Sequence, residues 1–175
     1  SDVCSSDLDS PIANAHGRVL RTDIRADRDL PPFDRVMFDG YAVRAASLAS
    51  GQKRFRVESV QAAGMRPFKL GAAVDACIEI ATGAVLPDGA DTIVPYEDTV
   101  RDNGTNIITL TNVPAAGHAI HRRGSDHRAG DTIVRAGTAL TGREIAVAAA
   151  CGYTTLTVSQ KPKIAVVATG EIGRA

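Results

Sequence analysis

The stretch DLPPFDRVMFDGYAVR, residues 29–44, decides how the chain is read. Pro31 and Pro32 both lack a backbone N–H, so Leu30–Phe33 suits neither a regular helix nor a central strand. The segment reads as a rigid extended connector and a domain boundary. Further on, Asp39-Gly40 has two readings. Asp before Gly is ordinary turn chemistry. A carboxylate beside a permissive glycine can also hold a divalent cation through oxygen or position a water for reaction. Local rules allow both.

Moving outward, the next runs are β-like. Arg18–Ile24 and Val57–Ala62 read as strands, as do Cys77–Ala81 (CIEIA), which stops at Thr82-Gly83, and Thr92–Tyr96. Between the last two lies a Pro-Asp-Gly loop, residues 86–91. Arg101-Asp102-Asn103-Gly104-Thr105 predicts a hairpin, with Asn-Gly in a type I′ turn. On the N-terminal side, Asn14–Gly17 resembles a helix ending, with Gly17 as a left-handed cap. Thr141–Cys151 is the best helix. Thr141 and Glu144 form a capping box, and Ile145, Ala148, Ala149 and Gly152 follow the helical rhythm. Thr154–Val158 follows as a strand, and Lys161-Pro162-Lys163 as a second linker. Ile164–Ala168 (IAVVA) reads as a strand of a parallel sheet covered on both faces, opening a further α/β domain.

Composition excludes several classes. The chain has 175 residues, 44% of them apolar, so it can bury a core, which must be aliphatic because aromatics are 4%. Lys plus Arg equals Asp plus Glu at 20 each, which gives no bulk electrostatic case for nucleic acid or an anionic membrane. No apolar run reaches membrane-spanning length. Cys4, Cys77 and Cys151 have no paired spacing and read as reduced thiols of a cytoplasmic protein. His118, His121 and His127 lack structural-zinc spacing. Ser1–Leu8 (SDVCSSDL) and Glu171–Ala175 (EIGRA) match what the two ends of a common sequencing adapter encode. Residues 1–8 and 171–175 are therefore expected to be read-through scars.

Three blocks together resemble one family. They are Pro32-Phe33-Asp34 leading to Asp39–Arg44; Ile80–Ala84 followed by Pro87, Gly89-Ala90-Asp91 and Glu97-Asp98; and Arg122–Asp126 followed by Gly130-Asp131 and Ala136–Thr138. In this order they resemble molybdopterin molybdenumtransferase, the bacterial MoeA type also found as the E domain of gephyrin. Two departures stand out. Arg35-Val36-Met37-Phe38 replaces a small polar stretch, commonly Asn-Ser-Ala-Met, and Ser125 stands where Glu is usual.

The resemblance implies an α+β chain. A β-rich domain, residues 34–126, is inserted in a mixed α/β domain of residues 9–33 and 127–160. Residues 161–170 begin a truncated α/β molybdopterin-binding domain. The resemblance further implies a four-domain homodimer that inserts molybdate into adenylylated molybdopterin with Mg²⁺. The active cleft would lie between the third domain of one subunit and the β-rich domain of its partner. On that reading this chain alone is inactive. Asp39 and Thr82 are its catalytic candidates, with Asp39 also a metal ligand, and Glu97, Arg123 and Asp126 are candidates for binding substrate. For each there is a plainer reading: a turn aspartate, a strand-closing threonine, a solvated strand end, or an Asp126–Arg ion pair. The alternative function is a non-catalytic dimerisation or scaffold module.

Overall fold

The computed structural model describes residues 7–102, 104–162 and 164–167. The chain is β-rich with few helices, and it separates into two compact units. One is continuous, Arg28–Ala129; the other combines Ser1–Asp27 with Gly130–Ala175.

In chain order the strands are β1 (Asp7–Pro11), β2 (Ile24–Arg25), β3 (Arg35–Val36), β4 (Gly40–Val43), β5 (Arg54–Gln61), β6 (Ala76–Ile80), β7 (Thr92–Pro95), β8 (Thr99–Arg101), β9 (Ile107–Leu110), β10 (Ile120–His121), β11 (Thr132–Val134) and β12 (Thr155–Ser159). The helices are α1 (Ala45–Ala49) and α2 (Gly142–Ala150), with 3₁₀ turns at Ile12–Asn14 and Tyr96–Asp98.

The continuous unit is built on a six-stranded mixed sheet of order β7-β4-β6-β5-β9-β8. Its β5–β6 pair is parallel and its other pairs antiparallel. Side chains alternate across a strand, and here both faces are covered. Ala42, Ala76, Ile78, Ile80 and Ile93 enter one core with Val36 and Leu70. Tyr41, Val43, Cys77 and Val94 enter the other with Phe55 and Ile108. This two-sided burial is why the apolar runs of β4, β6 and β7 are nearly continuous. Burial pushes the Cys77 thiol up to about 12, as befits a packing group.

Several side chains fix the connections. Asp91 Oδ1 accepts from Ala45 N at 2.6 Å and closes the start of α1. Arg44 donates to the carbonyls of Leu70, Gly71 and Ala73. Gln61 is fully buried, yet its amide is satisfied by Val85 O and Phe68 N, each at 2.7 Å. The β8–β9 hairpin forms, but its loop is longer than a two-residue turn. Gly104 is not in the left-handed region that a type I′ turn requires. Instead Asp102 accepts from Gly104 N and from the Thr105 hydroxyl, both at 3.0 Å. Asn103 lies outside the described residues.

The discontinuous unit pairs β1 with β12 and β2 with β11, around Leu20, Ile24, Leu140, Ala148, Leu156 and Val158. Four expectations are corrected here. Strand β1, not a helix, precedes the Ile12–Asn14 turn, because its backbone groups find β12; Gly17 does take positive φ, 72°. Arg18–Ile24 is broken into isolated bridges at Val19 and Leu20 before β2. The capping box at α2 is present, but the inward face is Glu144–Val147–Ala148–Cys151, one position from the expected one. Glu144 is buried at the first turn because its carboxylate takes the Thr141 backbone N–H at 2.9 Å and also the Thr141 hydroxyl. Those bonds hold its pKa down at about 2. Finally, residues 164–167 form no strand, and Ile164, Val166 and Val167 are 80%, 92% and 77% exposed. Among the described residues no strand lies beside them to pair with. Residues 168–170, with Thr169-Gly170, lie outside the described residues, as do most of both expected scars; Asp7 and Leu8 pair with Ser159 and Val158 in β1.

Candidate functional site

The register of the six-stranded sheet brings three segments, from two of those sequence blocks, to one end. Gly40 pairs with Ile80 on one side and Pro95 on the other. Asp39 therefore stands just before β4, Thr82 just after β6, and the Tyr96–Asp98 turn just after β7. Tyr96 N donates to Asp39 O at 3.2 Å.

Asp39 and Thr82 meet directly. Thr82 N donates to Asp39 Oδ1 at 2.6 Å, and Thr82 Oγ1 donates to the same oxygen at 2.8 Å. Both residues are exposed. The backbone bond first, then the hydroxyl bond, hold the Asp39 carboxyl below its usual pKa, so it is ionised at neutral pH. Asp39 Oδ2 has no protein donor among the described residues. The glycine after it serves a different purpose from a turn. Gly40 opens β4 without positive φ, and a Cβ there would stand 2.1 Å from Val94 O and 2.9 Å from Pro95 Cα. The Asp-Gly pair thus combines a fixed carboxylate with a close backbone approach. At the Thr82 side, Gly83 has φ 83°, turning the chain so that Gly83 N reaches Val36 O at 2.8 Å.

The other candidates are placed differently. Glu97 and Asp98 lie on a 3₁₀ turn rather than a strand, so the alternation argument does not apply to them. Glu97 is exposed at the Asp39 end; Asp98 is tied to Thr111 N and the Asn112 amide. Arg123 is engaged with the Asp29–Asp34 segment. Its Nε donates to Asp29 at 2.7 Å, and its backbone N to Asp34 Oδ1 at 2.8 Å. Arg122 binds the other Asp34 oxygen at 2.6 Å. Asp126 pairs with His121 Nε2 at 2.8 Å, not with an arginine.

Two residues at this end were not among the sequence candidates for the site. Tyr96 donates its hydroxyl to Glu79 Oε1 at 2.8 Å and meets Tyr41 edge-on, with ring centroids 5.3 Å apart. Burial, the Glu79 bond and nearby charges that include Asp39 push its phenol pKa upward. Arg35 stands opposite His121 in the β3–β10 pair. With Val36, Met37, His121, Thr82 and Gly83 it lines a depression of about 240 Å³. The cue was the alternation at the departure itself: Val36 is buried and Arg35 exposed.

No group of three or more His, Cys, Asp or Glu able to hold a metal ion occurs among the described residues. Magnesium commonly takes one or two carboxylates and completes its shell with water and substrate phosphates. The spare oxygen of Asp39 fits that limited contribution. Among the described residues no helix is long and apolar enough to cross a membrane.

A family model described as the MoeA N-terminal region (domain I and II) matches residues 4–152. The chain is 36% identical over 166 residues to a molybdopterin molybdenumtransferase of a Synechocystis species, covering 94% of this chain and 42% of that protein. It is 34% identical over 160 residues to the molybdopterin molybdenumtransferase of Bacillus subtilis, covering 87% of this chain and 37% of the relative. A crystal structure of a molybdopterin biosynthesis MoeA protein from Pyrococcus horikoshii superposes with TM-score 0.79 at 30% identity, over 90% of this chain and 42% of that one. The chain thus spans about two-fifths of the length of these relatives. With the blocks, the fold and these likenesses in agreement, the chain belongs to the MoeA N-terminal (domain I and II) family.

Proposed function

We propose that this chain is the N-terminal part of a molybdenum-cofactor transferase that inserts molybdate into adenylylated molybdopterin, and that it supplies half of the active site. The observation that carries the reading is the Asp39–Thr82 pair: an ionised carboxylate with one oxygen fixed and the other unclaimed. In this reading Asp39 contributes one anionic ligand to Mg²⁺, whose charge would neutralise oxyanion oxygens of the substrates. Thr82 holds that carboxylate in place, and Glu97 adds negative charge at the same sheet end. Arg123 and Asp126, committed to Asp29 and His121, shape the loop rather than touch substrate.

The unit around the six-stranded sheet then corresponds to the inserted second domain, residues 34–126. Residues 9–33 and 127–160 correspond to the first, and residues 161–170 open the molybdopterin-binding domain. The remaining wall comes from that domain of a second copy in a cytoplasmic homodimer, so the chain alone does not turn over. The test is to extend the gene in the 3′ direction and assay the full-length product. It should convert adenylylated molybdopterin and molybdate to molybdenum cofactor in the presence of Mg²⁺. A purified, dimeric full-length protein with no transfer activity would leave the scaffold reading in its place.

A further inference from the structure

Arginine 35 is held unlike the other arginines near it. Arg122 and Arg123 each bind a carboxylate, Asp34 and Asp29. Arg35 Nη2 instead contacts His121 Nδ1 at 3.1 Å, while His121 Nε2 contacts Asp126 Oδ1 at 2.8 Å. Arginine has no acceptor, so Nδ1 must accept and Nε2 must carry the proton. His121 thus bridges Arg35 and Asp126. It orients the guanidinium without cancelling its charge, and Arg35 has no carboxylate partner among the described residues.

The backbone presents this charge to a defined place. Pairing of β3 with β10 sets Arg35 and His121 side by side. Bonds from Val36 N to Ala84 O and from Gly83 N to Val36 O bring the Thr82–Gly83 turn against the same strand. The resulting depression is lined by Arg35 and His121, by the apolar Val36 and Met37, and by Thr82 and Gly83.

We infer that this depression is a subsite for a tetrahedral oxyanion, with Arg35 as the residue that binds it. A guanidinium suits the planar two-oxygen edge of such an anion better than an ammonium does. The anion is either free molybdate or a phosphoryl group of a larger substrate; the chemistry is shared. The inference rests on the transferase reading only for the name of the anion.

Calorimetric titration of the chain at low salt with molybdate, inorganic phosphate and AMP tests it. Binding of at least one is expected, weakened roughly tenfold or more in Arg35→Gln and less in Arg35→Lys. Exposed Arg135→Gln, in the other unit, should bind as the unsubstituted chain does. Preference for molybdate assigns the free oxyanion, and preference for AMP assigns the phosphoryl group. Absence of binding, unchanged affinity in Arg35→Gln, or equal loss in Arg135→Gln overturns the inference. The titration reads the anion alone, so its failure is separable from failure of molybdenum transfer by the full-length protein.

Discussion

Asp34 and Asp39 lie five positions apart in one sequence block, and the fold uses them in opposite ways. Both Asp34 oxygens are taken, one by Arg123 N and one by the Arg122 guanidinium. Asp39 gives one oxygen to Thr82 and keeps the other. The first is a saturated tie between two loops. The second has its orientation fixed and its coordinating capacity open. A carboxylate's place in a motif therefore says less about its role than the count of donors on each of its oxygens.

The sharpest way to break this contrast is at the glycine beside Asp39. Gly40→Ala should cost about 3 kcal/mol or more, because the new methyl would meet Val94 O and Pro95 Cα in the sheet backbone. A thermal melt reads this directly, and an unchanged Tm would mean that β4 and β7 are not in contact there. Next, Asp34→Ala should cost about 2 kcal/mol by removing two bonds to a charged carboxylate. A denaturant midpoint with unchanged m-value is the measurement.

Acid should separate the same groups. Asp34 is held low by the Arg123 backbone bond and then Arg122, and Asp29 by the Ala129 backbone bond and then Arg123. A depressed folded pKa contributes stability that is complete above the ordinary carboxylate range and lost as pH falls through the folded value. Melts should therefore be flat above about pH 5 and decline below about pH 4, with Glu144 protonating near its folded value of about 2. Asp34→Asn should make that decline shallower. The smallest effect is expected for Asp39→Asn, whose Tm should match that of the unsubstituted chain, because the exposed amide oxygen can still accept from Thr82.

What was legible in the sequence followed local rules with one outcome. Thr141 and Glu144 announce their capping box wherever the helix packs. The β6 and β7 runs are apolar because the sheet is covered on both faces. The β8–β9 hairpin was visible, but its turn type was not, since Asp102 closes the loop with its side chain. Tertiary contacts decided the rest. The face of α2 moved by one residue once Glu144 was drawn in to cap Thr141. Strand β1 exists because β12 lies beside it, which no local pattern at Asp7–Pro11 reveals. Gly40 looked like turn chemistry because its real constraint, the Val94–Pro95 backbone, is 54 and 55 positions away in the chain. Among the candidate residues, the family blocks pointed to Asp39 and Thr82, but their hydrogen bond needed the β4–β6 register. Arg35 was noticed only as a departure, and its partner His121 is 86 positions distant.

One paired measurement tests the whole account: Tm and molybdate-insertion rate for Asp34→Asn and Asp39→Asn, both made in the full-length protein. The expected result is a split. Asp39→Asn keeps its Tm and loses transfer by roughly 100-fold or more, the scale of removing a positioned charge from a reacting centre; Asp34→Asn loses Tm first. An Asp39→Asn protein that melts early and still transfers molybdenum would make that aspartate a structural tie and remove the half-site from this end of the sheet.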